Sequence, residues 1–171
     1  MGYGTQCQWN VSFTVEVPQV RRASEGSGLD QRVERGIWMS HQARGDFVLT
    51  RGEPTSDDEA AGTALGRIAV SKVFQGDLAE TSEAQLLTVH DRDGRPAVYV
   101  GIERVTGSLN GLEGTFVLHH TAPGTAGEPM VIRIMGNTAT GTLAGLSGTL
   151  SITGNTENGH TYTIDYDLPD D

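Results

Sequence analysis

TGSLNGLEGTFVL, Thr106–Leu118, sets two extended arms around Asn110-Gly111. Asn-Gly is the strongest short hairpin signal, because a type I′ turn needs positive φ at both tip residues. Closing a hairpin there sets its register. Val105 faces Phe116, Glu103 faces Leu118, Gly101 faces His120 and Tyr99 faces Ala122 on one side; Arg104 faces Val117 and Ile102 faces His119 on the other. The motif returns as TGTLAGLSGTLSI, Thr140–Ile152, with Ala144-Gly145 at its tip, and the expectation is a sibling hairpin. Duplication and two similar solutions to one turn account for the echo equally well.

Outward from this pair the chain reads as strand after strand. The spacing predicts strands at Arg44–Arg51, Gly66–Phe74, Glu83–His90, Ala97–Leu109, Leu112–Thr121, Met130–Met135, Thr138–Leu143, Leu146–Thr153 and Thr161–Leu168. Turn signals such as Gly76-Asp77 and Arg92-Asp93-Gly94 separate them. Short strands at such spacing indicate a closed barrel or a sandwich. Asp57–Ala64 is the one weak helix candidate, and its acidic composition fits a loop better.

Composition agrees. Glycine is 23 of 171 residues, nearly twice the usual ~7%. Hydrophobic residues at 36% and charged residues at 20% suit neither a disordered chain nor a helical bundle. The net charge of −10 repels phosphate backbones, which argues against a nucleic-acid partner. No run of ~18 apolar residues exists, so no membrane-spanning helix is expected. Cys7 is the single cysteine, which excludes an intrachain disulfide framework and fits a reducing, cytoplasmic compartment.

The head of the chain differs from the body. Charges cancel over residues 1–38, leaving the whole −10 on the remainder. Trp9, Val11, Phe13, Val15 and Val17 alternate with polar residues, and a linker-like RRASEGSGLDQRVERG follows. Arg21-Arg22 is not followed by the apolar region an export signal needs. Met39 opens MSHQARGDFVLT like an ordinary start. The expectation is that the product begins there and that residues 1–43 form a non-family extension to a barrel domain at 44–171; the alternative is a real strand at 9–17 pairing with a sheet edge.

VFQGDL (Val73–Leu78), GIERVTGSLNGLEGTFVLHHT (Gly101–Thr121), TGTLAGLSG (Thr140–Gly148) and YTIDYDL (Tyr162–Leu168) resemble the bacterial domain of unknown function 3224. That family is similar in fold to allene oxide cyclase. The resemblance implies an all-β fold, a small antiparallel eight-stranded closed barrel, and no particular activity. The chain departs from the family at Leu112, where Arg is usual, and at Asn137-Thr138-Ala139-Thr140-Gly141, where Gly-Ser-Gly-Thr-Gly is usual. Roles of those family residues are not carried over.

Chemical motifs are few. His119 and His120 are adjacent and point to opposite faces of a strand, so they do not chelate one ion, and no metal or cofactor is expected. There is no Gly-x-Ser-x-Gly elbow and no phosphate loop. The face bearing Tyr99, Glu103, Phe116, Leu118 and His120 is more informative. Were it interior, Glu103 would sit among apolar side chains and its pKa should rise unless a partner compensates. Such a carboxyl could exchange protons with a ligand, His120 complementing it; pairing with an arginine such as Arg133 is the structural alternative. On the last strand His160, Tyr162, Ile164, Tyr166 and Leu168 share a face, so Tyr99, Phe116, Leu118, Tyr162 and Tyr166 line either a pocket or a plain core.

Two functions remain. One is a cavity for a small apolar molecule, in its stronger form guiding a cofactor-free cyclisation or isomerisation with Glu103 and His120 as catalytic pair. The other is a filled, non-enzymatic interaction module. Val98, Val100, Ile102 and Val117 would then lie outside and predict a homo-oligomer.

Overall fold

The computed structural model describes residues 38–60, 63–92, 96–123, 129–156 and 159–169. The strand expectation at 9–17 and the start at Met39 concern a head whose first 37 residues lie outside these. Eight strands are described: β1 (Trp38–Ala60), β2 (Thr63–Gly76), β3 (Leu78–His90), β4 (Pro96–Leu109), β5 (Leu112–Pro123), β6 (Val131–Ile134), β7 (Ser147–Thr156) and β8 (Gly159–Pro169). Each pairs antiparallel with the next, and β8 returns to β1 to close the barrel. β1 pairs with β8 from Trp38 onward, which places residues 38–43 within the sheet. No helix among the described residues is long and apolar enough to cross a membrane.

Alternation builds the wall. On β2, Ile68, Val70, Lys72 and Phe74 turn inward and are buried, while Ala69, Ser71 and Val73 are less so. The β4–β5 hairpin has the register its Asn-Gly tip requires, Glu103 opposite Leu118 and Gly101 opposite His120. Asn110 and Gly111 hold φ of 49° and 82°, as a type I′ turn demands. Val100 and Ile102 face outward, 41% and 51% exposed.

The second motif behaves differently. Ala144, at its tip, has φ −54°, because alanine lacks the left-handed tolerance of asparagine. Gly141–Leu143 instead form a short 3-10 turn, and Leu143 and Leu146 are fully buried in the core. Burying each leucine is worth roughly 1.5–3 kcal/mol, which favours this plug over a hairpin. Thr138–Leu143, expected as a strand, therefore runs beside β5 as irregular chain and completes its ladder partly with side chains. Thr115 N–H donates to Thr140 Oγ1 and Val117 N–H to Thr138 Oγ1, each at 3.1 Å. Met135 N–H returns to the Val117 carbonyl at 2.8 Å. The segment expected as an acidic loop at Asp57–Ala64 is also corrected: β1 continues to Ala60, with Glu59 opposite Ala64. Backbone pairing there is indifferent to side-chain charge.

The larger core cluster packs Phe47, Phe74, Phe116, Leu118, Tyr162, Ile164 and Tyr166 with the two plug leucines. Position 45 must be glycine for it to close: a Cβ there would overlap the Gln75 carbonyl and stand 2.6 Å from the Tyr162 hydroxyl. That hydroxyl accepts from Leu78 N–H at 2.8 Å, tying β8 to the start of β3. A second, smaller cluster comprises Ile68, Val70 and Ala84, with Leu86 against it.

Candidate functional site: a charged centre inside the barrel

Four successive strands each turn a polar side chain inward: Lys72 from β2, Ser82 from β3, Glu103 from β4 and His120 from β5, all buried. Lys72 lies opposite Ser82 in the β2–β3 ladder, and Glu103 opposite Ala84 in the β3–β4 ladder. Lys72 Nζ donates to Glu103 Oε2 at 2.6 Å, and Ser82 Oγ donates to Oε1. His120 Nε2 lies 2.7 Å from Oε2, but off the direction of a hydrogen bond, so the contact is electrostatic and the nitrogen has no directed partner.

The charges determine protonation. Burial alone would raise the Glu103 carboxyl, but the Lys72 ammonium and the His120 ring beside it hold it down at about 2. The expected rise is thus reversed, because the compensating partner exists. That partner is Lys72 and not Arg133, which sits opposite His119 on the outward side of β5–β6 and is exposed. The Lys72 ammonium also lies 5.1 Å from the centre of the Phe47 ring, a cation–π arrangement. His160 stacks on the same ring at 5.0 Å. Burial, then the Lys72 charge, push the His160 pKa below its ordinary value.

Beyond this centre the wall of β3 and β4 carries Leu86 opposite Gly101 and Thr88 opposite Tyr99. Tyr99 donates to Met130 Sδ at 2.7 Å; burial, with the Glu103 charge behind it, pushes its pKa up to about 12. Its neighbour across β3–β4 is Thr88, buried with no hydrogen-bond partner for Oγ1. The room that Gly101 should leave beside His120 is taken by Leu86, whose Cδ2 would overlap any Cβ at position 101.

The structure divides the residues singled out from the sequence. Glu103 and His120 meet, with Tyr99 in the field of Glu103. Leu118 stands opposite Glu103 on the core side. Phe116, Tyr162 and Tyr166 belong to the larger apolar cluster, and the Tyr166 hydroxyl accepts from Asn110 Nδ2 at 2.9 Å near the hairpin tip. Lys72, Ser82, Thr88 and Leu86 were missed. Lys72 carried a signal: it is the chain's single lysine and falls in register with Ile68, Val70 and Phe74. Among the hollows on the surface are two lined by described residues. One, about 640 Å3, lies along β1, β7 and β8 between Ser40, Gln42, Asp165 and Asp167. The other, about 280 Å3, lies on the outer face of β3–β5 among Leu87, Val100, Ile102 and His119.

Residues 43–166 match the family model described as "Protein of unknown function (DUF3224)". A crystal structure of a protein of unknown function from the same family, from Shewanella oneidensis MR-1, is similar at 28% identity and a TM-score of 0.65, covering 78% of this chain and 100% of that one. No curated protein matches the chain.

Proposed function

The chain belongs to the DUF3224 family, and from that premise we propose that its barrel binds a small, mostly apolar molecule at the end beyond Glu103. The observation that carries the reading is the buried Lys72–Glu103–His120–Ser82 centre, with an unpartnered Thr88 hydroxyl further along the same wall. A core selected for stability alone gains more from apolar packing than from a buried ion pair. Ionisable groups so displaced from their ordinary behaviour cluster at functional sites. Ala84, Gly101 and Ala122 keep the wall thin there, and Leu86 is the side chain that must swing for a guest to enter.

Carbon-13 methyl NMR tests this with toluene, cyclohexanol, acetophenone and benzoate as probes. The expected result is saturable shifts at Leu86, Ala122 and Ile132 and none at Leu143 or Leu146. Absence of saturable shifts with all four probes overturns the reading.

A cofactor-free isomerisation or cyclisation is the finer form of the same proposal, with roles set by the charges. Glu103 is a permanent carboxylate that orients and stabilises, and His120 is the group that moves the proton. Faster exchange of the acetophenone methyl protons into D2O, lost in His120→Gln, supports that step; no acceleration removes it and leaves binding in place.

A second reading concerns the outer wall. Leu87, Val100 and Ile102 are adjacent and exposed, which supports burial against a second copy of the chain. Sedimentation velocity should then show a concentration-dependent dimer, shifted to monomer by Ile102→Lys. The proposal places the protein in the cytoplasm on composition alone.

A further inference from the structure

We infer that the bound molecule is neutral and presents a hydrogen-bond acceptor, a carbonyl or ether oxygen, to Thr88 and Tyr99. The inference rests on the small-molecule reading above and names its ligand class.

Thr88 supplies the first argument. Its hydroxyl is buried and unpaired, and a buried polar group without a partner costs free energy that a bound acceptor would recover. Tyr99 supplies the second. It spends its O–H on the thioether of Met130, a weak acceptor that any carbonyl oxygen outcompetes. Thr88 and Tyr99 are direct neighbours across the β3–β4 ladder, so one patch of wall carries both donors.

Charge excludes the obvious alternatives. The Lys72 ammonium is committed to Glu103 at 2.6 Å, and the His120 nitrogen lies 2.7 Å from the same carboxylate oxygen. Arg104 and Arg133 alternate to the outer surface. Among the described residues the buried cationic side chains are Lys72 and His120, both against Glu103, so a ligand carboxylate would be buried in the field of Glu103 without a counter-charge, at a large cost. A ligand ammonium would compete with Lys72 for an acceptor already taken by Ser82 and Lys72. A plain hydrocarbon would fit the apolar wall and leave Thr88 unpaired.

Acetophenone, ethylbenzene and benzoate have nearly the same size and differ in this one respect, so NMR titration with the three separates the outcomes. Acetophenone should bind about tenfold more tightly than either of the others, the discrimination one recovered hydrogen bond supplies. Thr88→Val and Tyr99→Phe should each weaken acetophenone several-fold and leave ethylbenzene unchanged, while Thr88→Ser restores wild-type affinity. An unchanged methyl spectrum in each free variant shows that the fold is intact. Equal binding of acetophenone and ethylbenzene, or tighter binding of benzoate, overturns the inference and leaves the binding reading standing. Failure of all three probes to bind overturns both.

Discussion

Replacing Lys72 by methionine removes one charge and keeps most of the side-chain volume. The gross attraction and the net cost differ by the desolvation of the pair. At 2.6 Å the pair attracts by about 6 kcal/mol for an effective dielectric of about 20, before desolvation is subtracted. The net can be read from protonation: Glu103 sits at about 2 instead of 4.5, which corresponds to about 3 kcal/mol. Loss of one member of a buried pair costs about 3–5 kcal/mol, so Lys72→Met should lose about 3 kcal/mol at pH 7, or roughly 10 °C in Tm. The pH dependence is the sharper test. In the native protein the depressed Glu103 pKa contributes stability above about 4.5 that is lost as pH falls toward 2. In Lys72→Met burial is opposed by the His120 ring alone, so the folded Glu103 pKa rises from its native position and less stability is lost as pH falls. The slope attributable to Glu103 therefore becomes shallower than in the native protein. Urea denaturation from pH 3 to 8 measures this, and Lys72→Met/Glu103→Gln should recover most of the loss. A cost under about 1 kcal/mol, or a loss that persists undiminished in the double variant, would refute the coupling.

Tyr162→Phe leaves Leu78 N–H without its acceptor and should cost about 1–3 kcal/mol in urea denaturation. Gly45→Ala forces a methyl against the Gln75 carbonyl and the Tyr162 hydroxyl; a loss of about 1–3 kcal/mol, with faster hydrogen exchange along β1–β2, is expected. Leu86→Ala opens space beside Gly101, lowering stability by about 2 kcal/mol while admitting 1-acetonaphthone, which calorimetry should find excluded from the native barrel. His160 should titrate below 6.5 by NMR; because its folded pKa is depressed, its contribution is present above about 6.5 and lost as pH falls.

The hairpin and the inward face of β4–β5 were legible because one Asn-Gly tip determines every partner that follows. The sibling motif misled for a physical reason. Identical Gly-x-Leu spacing serves a turn when the tip tolerates positive φ, and a plug when two leucines have a barrel end to fill. Of the site, Glu103, His120 and Tyr99 followed from alternation alone. The Lys72–Glu103 pair did not, since its members are 31 residues apart and a period of two says which face a residue occupies but not which neighbour it meets. That gap also reversed the direction expected for the Glu103 pKa, which depends on the neighbour's sign.

The closure of the ring carries a kinetic consequence. Every strand pairing but one joins neighbours in sequence; the last, between β1 and β8, brings together residues such as Ser40 and Asp167, 127 positions apart along the chain. Loop-closure entropy makes that ladder the costly one to form, so the meander assembles first as an open sheet with two free margins. Until they meet, those margins expose unpaired backbone to other chains. The side-chain clasps across them, Ser40 to Asp167 and Gln42 to Asp165, then act after the rate-limiting step. They leave the folding rate alone and govern how long the ring stays shut.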